Sequence, residues 1–245
     1  MTSPLTVERL QFLIEEDIYI QGLLERRLAR TYSEFLARLR ADIALAVQEL
    51  ALNPQLFLNE SEDATTARLL LVLKGMGYTA DHNNAGGGNI DVTVRQIRRG
   101  FRWIAEAKKF DDIGSMRDGF VQLSTRYVPG DDNEGSCYGG MIGYLRRPNA
   151  AECMNDWRSH FAEIEQATNA AVEDCELLGP FGFNSSHTHK ESGLPLKLWH
   201  VCVRLFHGPE DKSAKRSKKH AANLEKYGSG APASSVAVDI GPSAA

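Results

Sequence analysis

The apolar residues of this chain change their period at Pro54, and that change constrains the fold more than any other feature. Before it, Val7, Leu10, Ile14, Ile18, Leu24, Leu28, Tyr32, Phe35, Leu39, Ile43, Val47 and Leu50 recur at helical spacing, the pattern of an amphipathic helical region. The register slips at Gln21-Gly22. Glycine costs roughly 1 kcal/mol relative to alanine inside a helix, so a bend or a pair of helices is expected there. Asn53-Pro54 ends the region, which reads either as a helical layer packed on the following domain or on a second copy of the chain, or as a clamp around a ligand or partner.

Beyond Pro54 helical patterns alternate with short strand-like runs, the order of an α/β chain. Ser61-Glu62-Asp63-Ala64 opens a helix with acids in its first turn, where they suit the helix dipole, and Gly75-Met76-Gly77 stops it. Asp81 to Gly88 reads as a loop. Asn89 to Val94 and Phe101 to Phe110 read as two strands joined by a turn over Gln96–Gly100. A short helix is predicted over Met116–Tyr127, a loop over Pro129–Gly135 and a buried strand over Cys137–Leu145. An acidic helix from about Ala151 to Leu178, a loop over Gly179–Gly193 and a strong strand over Leu196–Phe206 complete the pattern. The chain thus divides into an N-terminal helical region (1–53), a core (54–207) and a basic, then small-polar tail (208–245) expected to be disordered.

With 245 residues, 42% hydrophobic and 24% charged, the chain can bury a core without disulfide or metal staples. Cys137, Cys153, Cys175 and Cys202 form no C-x-x-C pair, so they read as reduced packing residues. No window approaches 18 uninterrupted apolar residues, and the first residues do not resemble a signal peptide; a cytoplasmic protein with no membrane partner is expected. The net charge of -4 hides a basic stretch. Arg95, Arg98, Arg99, Arg102, Lys108, Lys109, Arg117 and Arg126 face only four acids there, whereas Ala151–Leu178 carries seven acids and one base. Global acidity therefore does not exclude a polyanion on the basic face.

The residues that carry chemistry are Asp91, Glu106 and Lys108. Positions two apart on a strand share a face, so Glu106 and Lys108 emerge side by side while Ala105 and Ala107 turn inward. Two carboxylates can hold Mg²⁺ through hard oxygen ligands, and a lysine beside the attacking water can orient it and stabilise developing charge. At these residues the sequence resembles the PD-(D/E)xK nuclease superfamily, from about Glu60 to Phe206, with Ile90 standing where the motif name has proline.

The resemblance implies a restriction-endonuclease-like core, a central mixed sheet flanked by helices, with Asp91 and Glu106 as ligands for Mg²⁺ or Mn²⁺. A first-helix acid, Glu62 in preference to Glu60, is a third candidate ligand, and Gln122 a supporting polar group. It implies a metal-dependent endonuclease, with DNA expected before RNA, of the kind that serves restriction or antiviral defence, as a homo-oligomer or a subunit of a larger complex. The alternative is a non-catalytic nucleic-acid-binding or assembly subunit. Lys109, Arg126 and Tyr127 are candidate nucleic-acid contacts.

Other features read more plainly. Gly86-Gly87-Gly88 lacks the Gly-Lys-Ser/Thr ending of a P-loop. His187-Thr188-His189 has no partner at zinc-ligand spacing and reads as a surface loop, with His200 on a strand. Trp103, Trp157 and Trp199 read as core, and the Lys212–His220 cluster as either a phosphate-binding or a solubilising end.

Overall fold

The computed structural model describes residues 6–85, 88–96, 98–128 and 134–210. Side-chain caps set where its helices begin. Helix α1 (Val7–Glu16) starts at Thr6, whose hydroxyl accepts the Arg9 N–H, and α2 (Ile18–Leu28) starts at Asp17, whose Oδ1 accepts from the Tyr19 and Ile20 N–H groups. The N-terminal stripe therefore breaks at Asp17, and again between Leu28 and Tyr32, while Gly22, where the break was expected, lies inside α2. An aspartate that satisfies two orphan N–H groups favours a helix start more than one glycine favours a bend.

Helix α3 (Tyr32–Ala51) opens with a capping box between Thr31 and Glu34. Its stripe of Tyr32, Phe35, Leu39, Ile43 and Val47 is buried in one cluster with Val92, Val94, Trp103, Ala105 and Tyr144 of the sheet. This helix is thus a layer of the core itself. In contrast α1 buries none of its residues, and Val7 and Phe12 are exposed. After Pro54 a single 3₁₀ turn (Pro54–Phe57) leads to α4 (Glu62–Gly75), capped by the Ser61 hydroxyl.

Seven strands follow: β1 (Thr79–Ala85), β2 (Gly88–Gln96), β3 (Phe101–Lys109), β4 (Tyr138–Leu145), β5 (Ala171–Asp174), β6 (Gly182–Thr188) and β7 (Pro195–Arg204). They form one mixed sheet in the order β1-β2-β3-β4-β7-β6-β5, with β3–β4 and β4–β7 parallel and the other pairs antiparallel. Helices α3 and α4 pack on one face, and α5 (Ile113–Gln122) and α6 (Ala150–Phe161) on the other. The α/β architecture expected from the alternating patterns is present. At the centre of the sheet Trp103 lies against Gly140, where a Cβ would collide with the indole.

Three predicted segments differ. Asp81–Ala85, read as part of a loop, belongs to strand β1, Gly182–Thr188, also read as loop, is strand β6, and the predicted helix over Ala151–Leu178 stops at Phe161 and includes strand β5. β1 and β5 are the two edges of the sheet, where polar residues are tolerated and pairing with one neighbour supplies the strand geometry. In β6 only Phe183 is a large apolar residue, yet Ser185 and His187 are also buried at strand period. The three tryptophans are buried, as expected, and Cys153, Cys175 and Cys202 are buried thiols. Among the described residues no helix is long and apolar enough to cross a membrane. The tail from residue 211, with its basic cluster, lies outside the described residues, as do Gly86, Gly87 and residues 129–133.

Candidate active site

Strand β3 lies between β2 and β4, and the candidate site lies where its pairing with β2 ends. Over Phe101–Ala105 it pairs antiparallel with β2, ending at Val92↔Ala105, and from Ile104 to Lys109 it pairs in parallel with β4. The β2 ladder stops where β2 bulges. Asp81 pairs with Thr93 and Asn83 with Ile90, so Asp91 and Val92 together stand opposite a single β1 residue. A bulge re-aims side chains. Ile90 consequently joins the α5/α6 cluster while Val92 joins the α3/α4 cluster, although they are only two residues apart. The Asp91 carboxylate then takes a role the ladder has vacated: its Oδ2 accepts the Ala107 N–H at 2.9 Å.

Glu106 and Lys108 share a face of β3, as their spacing predicts, and Lys108 Nζ lies 2.6 Å from Glu106 Oε1. From α4, Glu62 reaches the same point. Its Oε2 accepts the Lys109 N–H at 2.6 Å and its Oε1 lies 3.7 Å from Lys108 Nζ. Glu60 points elsewhere and pairs with Arg68 at 2.5 Å. Of the two first-helix acids, Glu62 is therefore the one at the cluster.

Two further groups, with no signal in the sequence, hold the head of α4. Arg146, just past β4, donates to the Glu60 carbonyl at 2.7 Å and to Thr65 Oγ1 at 3.1 Å. Thr66 Oγ1 bonds both the Glu62 carbonyl at 3.0 Å and the buried Tyr144 hydroxyl at 2.9 Å.

The opposite side of Lys108 is closed by α5. A Cβ on Gly119 would sit 2.7 Å from Lys108 Cγ, so only glycine lets the helix lie this close to the lysine stem. Gln122, half-buried, is three residues further along and so on the same side of α5.

The electrostatics follow from burial. Glu106 is 2% exposed, and its Oε2 is buried with no hydrogen-bond partner among the described residues. Desolvation pushes its carboxyl up to about 7, against the pull of the Lys108 hydrogen bond, and the charges of Asp91 and Glu62 add to the rise. Burial alone lowers Lys108, but its bond to Glu106 and the surrounding carboxylates hold it above the ordinary lysine value.

The remaining predicted contacts divide. Lys109 is half-buried, its N–H on Glu62 and its carbonyl accepting from Ser115 Oγ at 2.9 Å. Arg126 is exposed. Tyr127, predicted to contact nucleic acid, is instead buried in the α5/α6 cluster. The reason is a π turn over Leu123–Tyr127, closed by the Val128 N–H on the Leu123 carbonyl at 3.1 Å, which buries Leu123 and Tyr127 and leaves Thr125 and Arg126 outside.

The histidines also differ from the sequence reading: His187 and His189 are buried rather than on a surface loop. His200 stacks on Phe183 and accepts the Trp157 indole N–H at Nδ1 (3.1 Å), which leaves Nε2 to donate to Ser185 Oγ at 2.8 Å. His189 bonds Ser192 Oγ and the Ser124 carbonyl.

Among the described residues, no three histidine, cysteine or acidic side chains are grouped to hold one metal ion. Two of the three acids fit as a pair, because among the described residues each keeps one oxygen without a protein donor. There Glu106 Oε2 is buried and unpartnered, and Asp91 is bonded through Oδ2. Both oxygens of Glu62 face donors of the chain itself, the Lys109 N–H and the Lys108 ammonium. Comparisons with protein-family models, with curated proteins and with solved structures found no match to the chain.

Proposed function

We propose that the chain is a metal-dependent endonuclease with a restriction-endonuclease-like core, acting on DNA. The observation that carries this is the convergence of Glu106 and Glu62 on Lys108, with Asp91 bonded to the N–H of the residue before it, so that three separate elements meet beside a buried carboxylate oxygen with no partner among the described residues. An unpaired buried carboxylate is costly to keep, and such groups concentrate where chemistry needs them.

Asp91 Oδ1 and Glu106 Oε2 are the oxygens that would hold a divalent cation, Mg²⁺ or Mn²⁺, both hard donors suited to it. When bound, the metal supplies positive charge against the scissile phosphate and makes water a stronger acid. The chain's own residues do the rest. Lys108, held charged by its neighbours, orients the attacking water through an N–H and stabilises the negative charge that grows on the phosphate. Glu62 steadies that ammonium from the α4 side while fixing the end of β3. Gln122, on the side of α5 that covers the lysine, offers an amide to a phosphate oxygen, and exposed Arg126 offers a phosphodiester contact.

Cleavage of supercoiled plasmid and of single-stranded RNA, with Mg²⁺ and with chelator, tests this. Metal-dependent nicking of the plasmid that disappears in Lys108→Ala and Asp91→Ala is the expected result. Metal-independent DNA binding without cleavage, unchanged in Lys108→Ala, would replace it with a nucleic-acid-binding subunit.

A further inference from the structure

The geometry points to a second ligand site, an open cleft between α3 and the start of β4 and β7 in which Arg40 and Lys197 bind the phosphate group of a small phosphomonoester. The cleft has a volume of about 260 Å³, near the lower end for small-molecule pockets. Arg40 is the unusual residue. Its guanidinium lies 4.8 Å from the Trp199 ring centre and donates to Asn184 Oδ1, but its Nε is buried with no partner, and it makes no ion pair among the described residues. Burial lowers its pKa, with only the Cys175 thiol raising it.

The contrast with its neighbours is sharp, since Arg38, on the same helix, and Arg26 both meet the Asp42 carboxylate. A half-buried guanidinium held over an indole ring and by Asn184, yet without a counter-ion among the described residues, calls for an external oxyanion. Lys197 brings a second cation from the strand side, its Nζ 5.4 Å from the Tyr138 ring. Glu173, exposed on the edge strand, leaves the lining at a formal net charge of +1.

Two cations on different elements favour phosphate over carboxylate. A carboxylate presents both oxygens to one fork, whereas a tetrahedral phosphate diverges toward the guanidinium and a separate ammonium. Tyr138, Leu36 and Leu198 give the rest of such a ligand an apolar wall. The cleft is distinct from the acid cluster. Tyr138 and Gly139 begin β4, while the residues paired with Glu106 and Lys108 are Met141 and Gly143, and α3 lies on the face opposite α5. The inference therefore stands apart from the nuclease proposal.

Titration calorimetry of the full chain in chelator, at constant ionic strength, with inorganic phosphate, AMP and adenosine tests it. Saturable binding of phosphate and AMP is expected, with adenosine at least about tenfold weaker than AMP. Arg40→Met should weaken AMP about tenfold or more and Lys197→Met several-fold, while Lys108→Ala leaves it unchanged. Lys197 is exposed, so its variant decides the matter even if Arg40→Met fails to fold. Absence of saturable binding by both phosphate and AMP, adenosine binding as tightly as AMP, or AMP binding unchanged in Lys197→Met would overturn the site. Loss of AMP binding in Lys108→Ala would assign it to the acid cluster instead.

Discussion

Among the described residues two carboxylates are almost wholly withdrawn from water, and they are treated in opposite ways. Asp42, 0% exposed, accepts from Arg26 at 2.7 and 2.8 Å, from Arg38 and from the Tyr78 hydroxyl at 2.7 Å. Burial pushes its pKa up, but the hydrogen bonds outweigh it and hold the group below the ordinary carboxylate value. Glu106, 2% exposed, has one lysine, two acidic neighbours and an oxygen with no partner among the described residues, and its carboxyl rises to about 7. The first network ties α2 and α3 to the tyrosine before β1 and is complete within the chain. The second leaves Glu106 Oε2 without a partner among the described residues, and an incomplete buried network is stable only where the rest of the fold carries it.

The contrast can be broken first by activity. Lys108→Ala should reduce plasmid nicking by at least about 10²-fold while the protein remains folded by circular dichroism, since Glu106 can stay protonated without it. Asp42→Ala should do the reverse. Removing one partner of a buried ion network costs about 3–5 kcal/mol, so its melting temperature should fall by about 10 °C while the folded fraction still cuts.

Smaller effects sharpen the comparison through pH. Glu106 binds its proton more tightly folded than unfolded, so its favourable contribution is complete below about pH 4.5 and is lost as pH rises through about 7. Glu106→Gln should therefore end cleavage yet gain up to about 3 kcal/mol over the wild type in urea unfolding at pH 8.5, with no gain at pH 4.5. His187 has the opposite sign. Burial lowers it to about 4, so the unfolded imidazole, near 6.5, takes up its proton first and stability is lost as pH falls from about 6.5 to 4. His187→Leu should reduce the acid-side loss, to which the buried His200, also lowered by burial, contributes with the same sign. In the wild type the two slopes oppose each other between about pH 4.5 and 6.5, and Glu106→Gln should expose the histidine slope there.

How far the fold is legible depends on where each element gets its stability. β2, β3, β4 and β7 carry apolar or β-branched runs and were predicted within a few residues, as were α4 and the start of α6. β1, β5 and β6 were missed because TADHNNA, AVED and GFNSSHT have little intrinsic strand preference. The site divides in the same manner. The spacing of Glu106 and Lys108 placed them on one face, and the acids heading α4 were visible as a helix start. The bulge that turns Asp91, the π turn that buries Tyr127 and the Arg146 clasp on α4 leave no trace in composition or period.

Period, caps and breakers along the chain were sufficient to place most helices and the central strands, and to mark Asp91, Glu106 and Lys108 as residues of one kind of chemistry, because these signals act over a few neighbouring residues. Which acid faces Lys108, which aromatic is buried, and which buried carboxylate is satisfied and which is not were settled by packing between distant segments. Desolvation and hydrogen-bond supply depend on every element that closes around a group, and no stretch of sequence contains that sum.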